Sequence, residues 1–208
     1  MPQKLDDLKE TASQTAGPYV HIGLIPRQAG FDIFANDLGA EPIAAGVKGE
    51  RIAIVGRVLD GSGTLVRDAL IETWQANSAG RYNHPLDASA KPLDAEFRGW
   101  ARVGTNFETG EYRIDTIKPG SVMGRNGRPM APHINFWIVA RGVNIGLNTR
   151  MYFADEQAAN DADPVLRLIE MAERRKTLIA SRTVKDGAVV YAFDIVLQGA
   201  GETVFFDV

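Results

Sequence analysis

RIAIVGRVLDGSGTLVRDALIETW, residues 51–74, decides the fold. Apolar and polar residues alternate along it, Ile and Val are frequent, and Asp-Gly-Ser-Gly at 60–63 supplies a turn between two strands. β-Branched side chains suit a pleated backbone, and the alternation gives each strand one face for a core. Toward the C-terminus the same signal recurs. WARVGTNFETGEYRIDTI, residues 100–117, reads as a hairpin turning at Thr109-Gly110, with Tyr112, Ile114 and Thr116 on one face and Arg113 and Asp115 on the other. HINFWIVARGVNIGLNTRMYF, residues 133–153, supplies two strands meeting near Arg141-Gly142. TVKDGAVVYAFDIVLQG, residues 183–199, is a hairpin with Asp186-Gly187 at its turn. The expected exception is one short helix opened by Asp163-Pro164, with Asp as N-cap, Pro in the first turn, and an apolar stripe of Val165, Leu168, Ile169 and Ala172. Regularly spaced short strands with one modest helix predict an all-β sandwich with long loops, as a single domain over residues 1–208.

Outward from the strands the chain is looser. Residues 31–49 and 75–99 read as loops, the second carrying Tyr82 and His84. Residues 1–30 form an N-terminal arm, in which SQTAGPYVHIGLIP (13–26) shows no steady period and Gly17-Pro18 marks an irregular path. Such an arm either packs on its own domain or crosses to another subunit.

The 208 residues, 45% hydrophobic and 24% charged, suffice for a sizeable core. A net charge of −3 without a basic run argues against nucleic acid and anionic membranes as partners. The absence of cysteine excludes disulfides, thiolate metal ligands, iron–sulfur clusters and thiol nucleophiles. No apolar run approaches the length of a membrane span, so a soluble, cytoplasmic protein is expected.

The chemistry-bearing stretch is His133-Ile134-Asn135. Side chains two apart on a strand share a face, so His133 and Asn135 look into one pocket. His-x-His there would be a strong metal signal, but an Asn amide is a poor transition-metal ligand. The stretch is half of a metal site. The three histidines, His21, His84 and His133, fall on an arm, a loop and a strand, with no spacing that joins them. There is no GxSxG elbow, GxGxxG or P-loop, and 26 acidic residues single out no carboxylate pair.

IETWQANSAGRY (71–82), the Lys-Pro-Gly turn at 118–120 and RPMAPHINF (128–136) together resemble the intradiol ring-cleaving dioxygenases. SQTAGPYVHIGL and the tail QGAGETVFFDV narrow the resemblance to the non-catalytic α subunit of a two-subunit member, and it runs in order from residue 13 to 208. The fold it implies is a β-sandwich of transthyretin (prealbumin) type. Catalytic chains of the family hold a ferric ion with two tyrosinates and two histidines. On this chain the corresponding positions are Tyr82, Val122, His133 and Asn135, so two of four ligands are missing, and Met130 stands where an arginine is usual. Two ligands leave most of an ion's positions open. The site reads as vestigial, with Fe(III) held by a homologous β subunit, and Tyr82 and His133 reduced to buried hydrogen bonding.

The reaction implied is intradiol cleavage of protocatechuate with O2 to 3-carboxy-cis,cis-muconate, a step of aromatic catabolism in the β-ketoadipate pathway, carried out in an assembly of αβ pairs. By the same resemblance Thr15, Gly17, Pro18 and Arg141 line the substrate pocket of the β subunit. A guanidinium would offset the cost of desolvating the substrate carboxylate. Arg141 has a plainer reading as a surface or interface salt bridge. Two other readings stay open at this point: a stand-alone transthyretin-like binding module without catalysis, and a self-sufficient dioxygenase with unusual ligands.

Overall fold

The alternation of residues 51–59 is realised as a strand whose Ile52, Ile54 and Val58 enter the core while Arg51 and Arg57 stay outside. The computed structural model describes residues 15–17, 19–35, 38–125 and 127–207. In chain order the strands are β1 (Arg51–Leu59), β2 (Leu70–Gln75), β3 (Trp100–Gly104), β4 (Glu111–Ile117), β5 (Val122–Met123), β6 (Pro129–Met130), β7 (His133–Val139), β8 (Leu147–Phe153), β9 (Ile179–Lys185), β10 (Ala188–Ala192) and β11 (Ile195–Val196). Helices α1 (Tyr19–Leu24), α2 (Gln157–Ala162) and α3 (Ala172–Lys176) are each only five or six residues long.

Among the described residues nine strands form one nearly closed sheet. One half runs β4-β1-β10-β9, with β11 beside the end of β1; the other runs β3-β2-β7-β8. The halves join where β8 pairs in parallel with Ile179 and Ala180 of β9. At the opposite margin β3 and β4 approach within 8 Å without backbone pairing. Ile54, Ile71, Ile114, Phe136, Met151, Tyr191 and Ile195 belong to one buried cluster, so both halves share a core. Burying a large aliphatic side chain contributes about 1.5–3 kcal/mol, and β1, β2, β4, β7 and β11 each place such residues in this core. Inside this core Tyr112 donates its hydroxyl to the carbonyl of Phe193 at 2.6 Å, which satisfies an otherwise buried polar atom.

Several expectations hold. β7 and β8 pair antiparallel, as do β9 and β10, with Asp186 (φ 51°) and Gly187 (φ 79°) at the turn. Tyr112, Ile114 and Thr116 are buried, while Arg113 and Asp115 lie outside and pair with each other. The Asp60 carboxylate organises its turn by accepting from the N–H groups of Ser62 and Thr64.

Three expectations are corrected. Residues 100–117 are not a hairpin: β3 pairs with β2 and β4 with β1, so the Thr109-Gly110 loop crosses from one half of the sheet to the other. There is no single helix at Asp163-Pro164. A 3₁₀ turn, Leu166–Leu168, stands there, and two short helices flank it. Asp163 does receive the N–H groups of Val165 and Leu166, both at 2.8 Å, but Leu166 is the buried side chain and Leu168 is 77% exposed. The helix-period reading failed because packing of one side chain, not a stripe, fixes so short a turn. Finally, Tyr19–Leu24 within the arm is helical instead of irregular, with His21 turned inward.

Candidate functional site

The sequence-predicted positions gather on the outer face of β7 and β8. Ile134, Phe136 and Ile138 fill the core, which turns His133 and Asn135 to the opposite side. His133 stands across from Tyr152, and Asn135 lies between Arg150 on β8 and Trp74 on β2. Two loops roof this patch. In the first, Asn77 accepts from the N–H groups of Ala79 and Arg81 and donates to the Pro92 carbonyl, which holds Tyr82 in a near-parallel stack on Trp74, 5.8 Å between ring centres. The second is the Lys-Pro-Gly turn. A Cβ at Gly120 would sit 2.5 Å from the Ser78 carbonyl, so only glycine lets the two loops lie this close. Val122 then pairs with Met130, and the Ser121 hydroxyl donates to the Met130 carbonyl at 2.7 Å. Trp74, Tyr82, His84, Lys91, Val122 and Arg125 line an adjoining cleft of about 810 Å³.

This set does not fit a four-ligand ferric centre. Val122 offers no donor atom. The Asn135 amide is engaged on both sides, donating to the Trp74 carbonyl at 3.2 Å and accepting from Arg150 Nε at 2.9 Å. Burial pushes the Tyr82 phenol above its usual value, opposed by Arg150 and by a hydrogen bond with Asn135. His133 is almost wholly buried; Nδ1 bonds the Ala131 carbonyl at 2.8 Å, which leaves Nε2 as an acceptor without a partner. Burial, reinforced by the Arg150 charge, pushes its pKa down to about 4. Met130, in place of the usual arginine, sets its sulfur 3.5 Å from Arg150 Nη1.

The other predicted residues meet at the far end of β7, roughly 20–25 Å from His133 at the rise of an extended strand. The Thr15 hydroxyl accepts from the N–H of Gly142 at 2.6 Å and donates to the Ala140 carbonyl at 3.3 Å, clamping the arm onto the Arg141 turn. Gly17 lies two residues on, its carbonyl accepting from Val20 at the start of α1. Pro18 lies outside the described residues. The Arg141 guanidinium is largely exposed and pairs with Asp68. Sequence reasoning missed Asp68 and the role of His21. The imidazole is buried with Nε2 unpartnered, edge-on to Phe107, and its pKa is lowered by burial, with Asp68 opposing and Arg141 adding. No motif marks either residue; the docking of α1 brings His21 toward Arg141, and the register of β2 on β7, Leu70 opposite Val139, brings Asp68 there. The structure thus sets the vestigial iron positions and the Thr15–Arg141 group at opposite ends of β7.

The chain matches the family model described as Dioxygenase over residues 34–199. It is 49% identical over 207 residues to the protocatechuate 3,4-dioxygenase alpha chain of Pseudomonas putida, with 100% of both chains covered. It is also 41% identical over 160 residues to the protocatechuate 3,4-dioxygenase beta chain of Burkholderia cepacia, covering 74% of this chain and 67% of that one. In fold it resembles the crystal structure of 3-chlorocatechol 1,2-dioxygenase from Rhodococcus opacus 1CP, with a TM-score of 0.57 at 20% identity, covering 76% of this chain and 63% of that chain. Matched along its strands and loops alike, the chain belongs to the intradiol ring-cleaving dioxygenase family.

Proposed function

We propose that this chain is the α subunit of a protocatechuate 3,4-dioxygenase, acting with a homologous β subunit in an assembly of αβ pairs. The full-length similarity to an alpha chain, beside a weaker similarity to a beta chain, supports this reading. One observation carries the division of labour. The residues at the family's iron positions lack a complete donor set, while Thr15, Gly17 and Arg141 gather at the opposite end of β7, next to a helix that exposes Tyr19. Iron, which supplies the oxidation chemistry when bound, belongs in this reading to the β subunit. This chain closes part of that subunit's pocket. Arg141 meets the substrate carboxylate through charge-assisted hydrogen bonds, and Thr15 fixes the turn that presents it. Asp68 keeps the guanidinium paired until the carboxylate arrives.

In the same reading residues 1–208 are one domain with an arm over 1–30. The two facing halves of the sheet support a transthyretin-like sandwich. Among the described residues no helix is long and apolar enough to cross a membrane, in keeping with a cytoplasmic enzyme. The stand-alone binding module is not favoured, because the likeness to an enzyme subunit spans the whole chain. A self-sufficient dioxygenase is at odds with Val122 and Asn135.

The test is co-expression with the β chain and elemental analysis of the purified complex. One iron per αβ pair, with activity toward protocatechuate, is the expected result. Two irons per pair, or full activity from this chain alone, would refute it.

A further inference from the structure

Arg150 has no part in the proposed reaction, yet it occupies the middle of the degenerate centre. Cross-strand register sets it opposite Asn135, and its guanidinium donates to Asn135 Oδ1 at 2.9 Å and approaches Met130 Sδ at 3.5 Å. The hydroxyl of Tyr152, two residues along the same face, is also within its hydrogen-bonding reach. That hydroxyl donates in turn to the fully buried Asp163 carboxylate at 3.2 Å, which accepts from the N–H of Ala131 at 2.8 Å. The groups turned to this spot are acceptors: an amide oxygen, a thioether and phenol oxygens, with the lone pair of His133 Nε2 nearby. Acceptors in a part-buried cluster are costly to leave without a donor, and the Arg150 guanidinium supplies several donors at once.

We infer that the Arg150 guanidinium is the built-in cation of this centre, standing in for a metal ion and excluding one by charge and by occupancy. The loss of two ligands is then only half of the reason for rejecting iron. Asn135 is the residue that accommodates the substitution, since its amide oxygen accepts from Arg150, whereas a metal-binding imidazole would compete for the same space. A fixed monocation within hydrogen-bonding distance of an arriving trication adds repulsion that a part-buried site screens less than open water does. Planar donors on a guanidinium also satisfy several fixed acceptors at once, which an ammonium does not do equally well.

The inference is tested in the full-length chain, purified with its partner, by iron in excess of the unsubstituted complex and by visible tyrosinate-to-iron absorption. Val122→Tyr with Asn135→His restores the donor set while keeping Arg150, and is expected to load fewer than about one chain in ten, because the resident charge persists. Adding Arg150→Gln is expected to allow loading of most chains. Equal loading with and without Arg150, or no loading in a folded triple variant, overturns the inference. A second measurement stands if the triple variant does not fold. In Arg150→Ala, millimolar ethylguanidinium should raise the thermal midpoint and its neutral isostere ethylurea should not. Equal effects, or none from the cation, also overturn it.

Discussion

Arg141 and His133 sit at opposite ends of one strand and make different predictions. Under the proposed function, Arg141→Ala in the αβ complex removes a charge-assisted hydrogen bond of about 1.5–3 kcal/mol. KM for protocatechuate should rise roughly ten- to a hundredfold, while KM for catechol, which has no carboxylate, changes little. Iron content should stay constant; equal losses on both substrates would make Arg141 structural. His133 is a stability residue. The native state holds its imidazole neutral down to about pH 4, whereas the unfolded chain takes up the proton near 6.5. Protons therefore favour the unfolded state across that window. Stability should fall as pH drops from 6.5 to about 4, by up to about 3 kcal/mol from this residue, and then level off. His133→Gln should flatten that segment of a denaturation-versus-pH curve, and an unchanged slope would refute the assignment.

At the scale of elements, the roof of the degenerate centre depends on close contact between two loops. Gly120 donates its N–H to the Asn77 carbonyl at 2.9 Å, and an added methyl would fall 2.6 Å from the Gly80 nitrogen. Gly120→Ala should therefore destabilise the chain by about 1–3 kcal/mol through overpacking, measured by urea denaturation. The near-UV circular dichroism contributed by the Trp74–Tyr82 stack should weaken in the same variant. In the strands the equivalent test is Ile54→Ala. This fully buried side chain lies where both halves of the sheet meet the core, so a loss of about 2–5 kcal/mol is expected. A loss below about 1 kcal/mol would mean that the shared core is looser than its burial indicates.

For the whole molecule, the segment after the Thr15 clamp leaves Tyr19, Phe31, Ile33, Phe34 and Leu38 exposed, with Tyr19 at 82%. Under the proposed function these exposed apolar side chains are the surface that the partner chain would cover. With a homologous β chain, burial on the order of 2,000 Å² or more is typical of obligate pairs. Sedimentation of the isolated chain should show self-association that an added β chain abolishes by forming a defined complex. A stable, dilute monomer with no affinity for the β chain would remove the basis for this interface.

Period-two alternation made the strands legible, because a residue's side is fixed by its own backbone, as Tyr112, Ile114 and Thr116 show. The Asp186-Gly187 turn was legible for the same reason, since local conformation alone demands residues tolerant of positive φ. The broken donor set was also legible: Val122 and Asn135 lack suitable metal-binding chemistry wherever they lie. Strand partners were not, because β3 and β4 choose partners remote in sequence, and their shared loop is equally compatible with a hairpin or a crossing. Short helices such as Tyr19–Leu24 were not legible either, since six residues have too little intrinsic helical stability and depend on packing. Arg150 had no local signal at all. Its place beside Asn135 follows from the register between β7 and β8, and that register is set by the core face, where the buried side chains of both strands must meet.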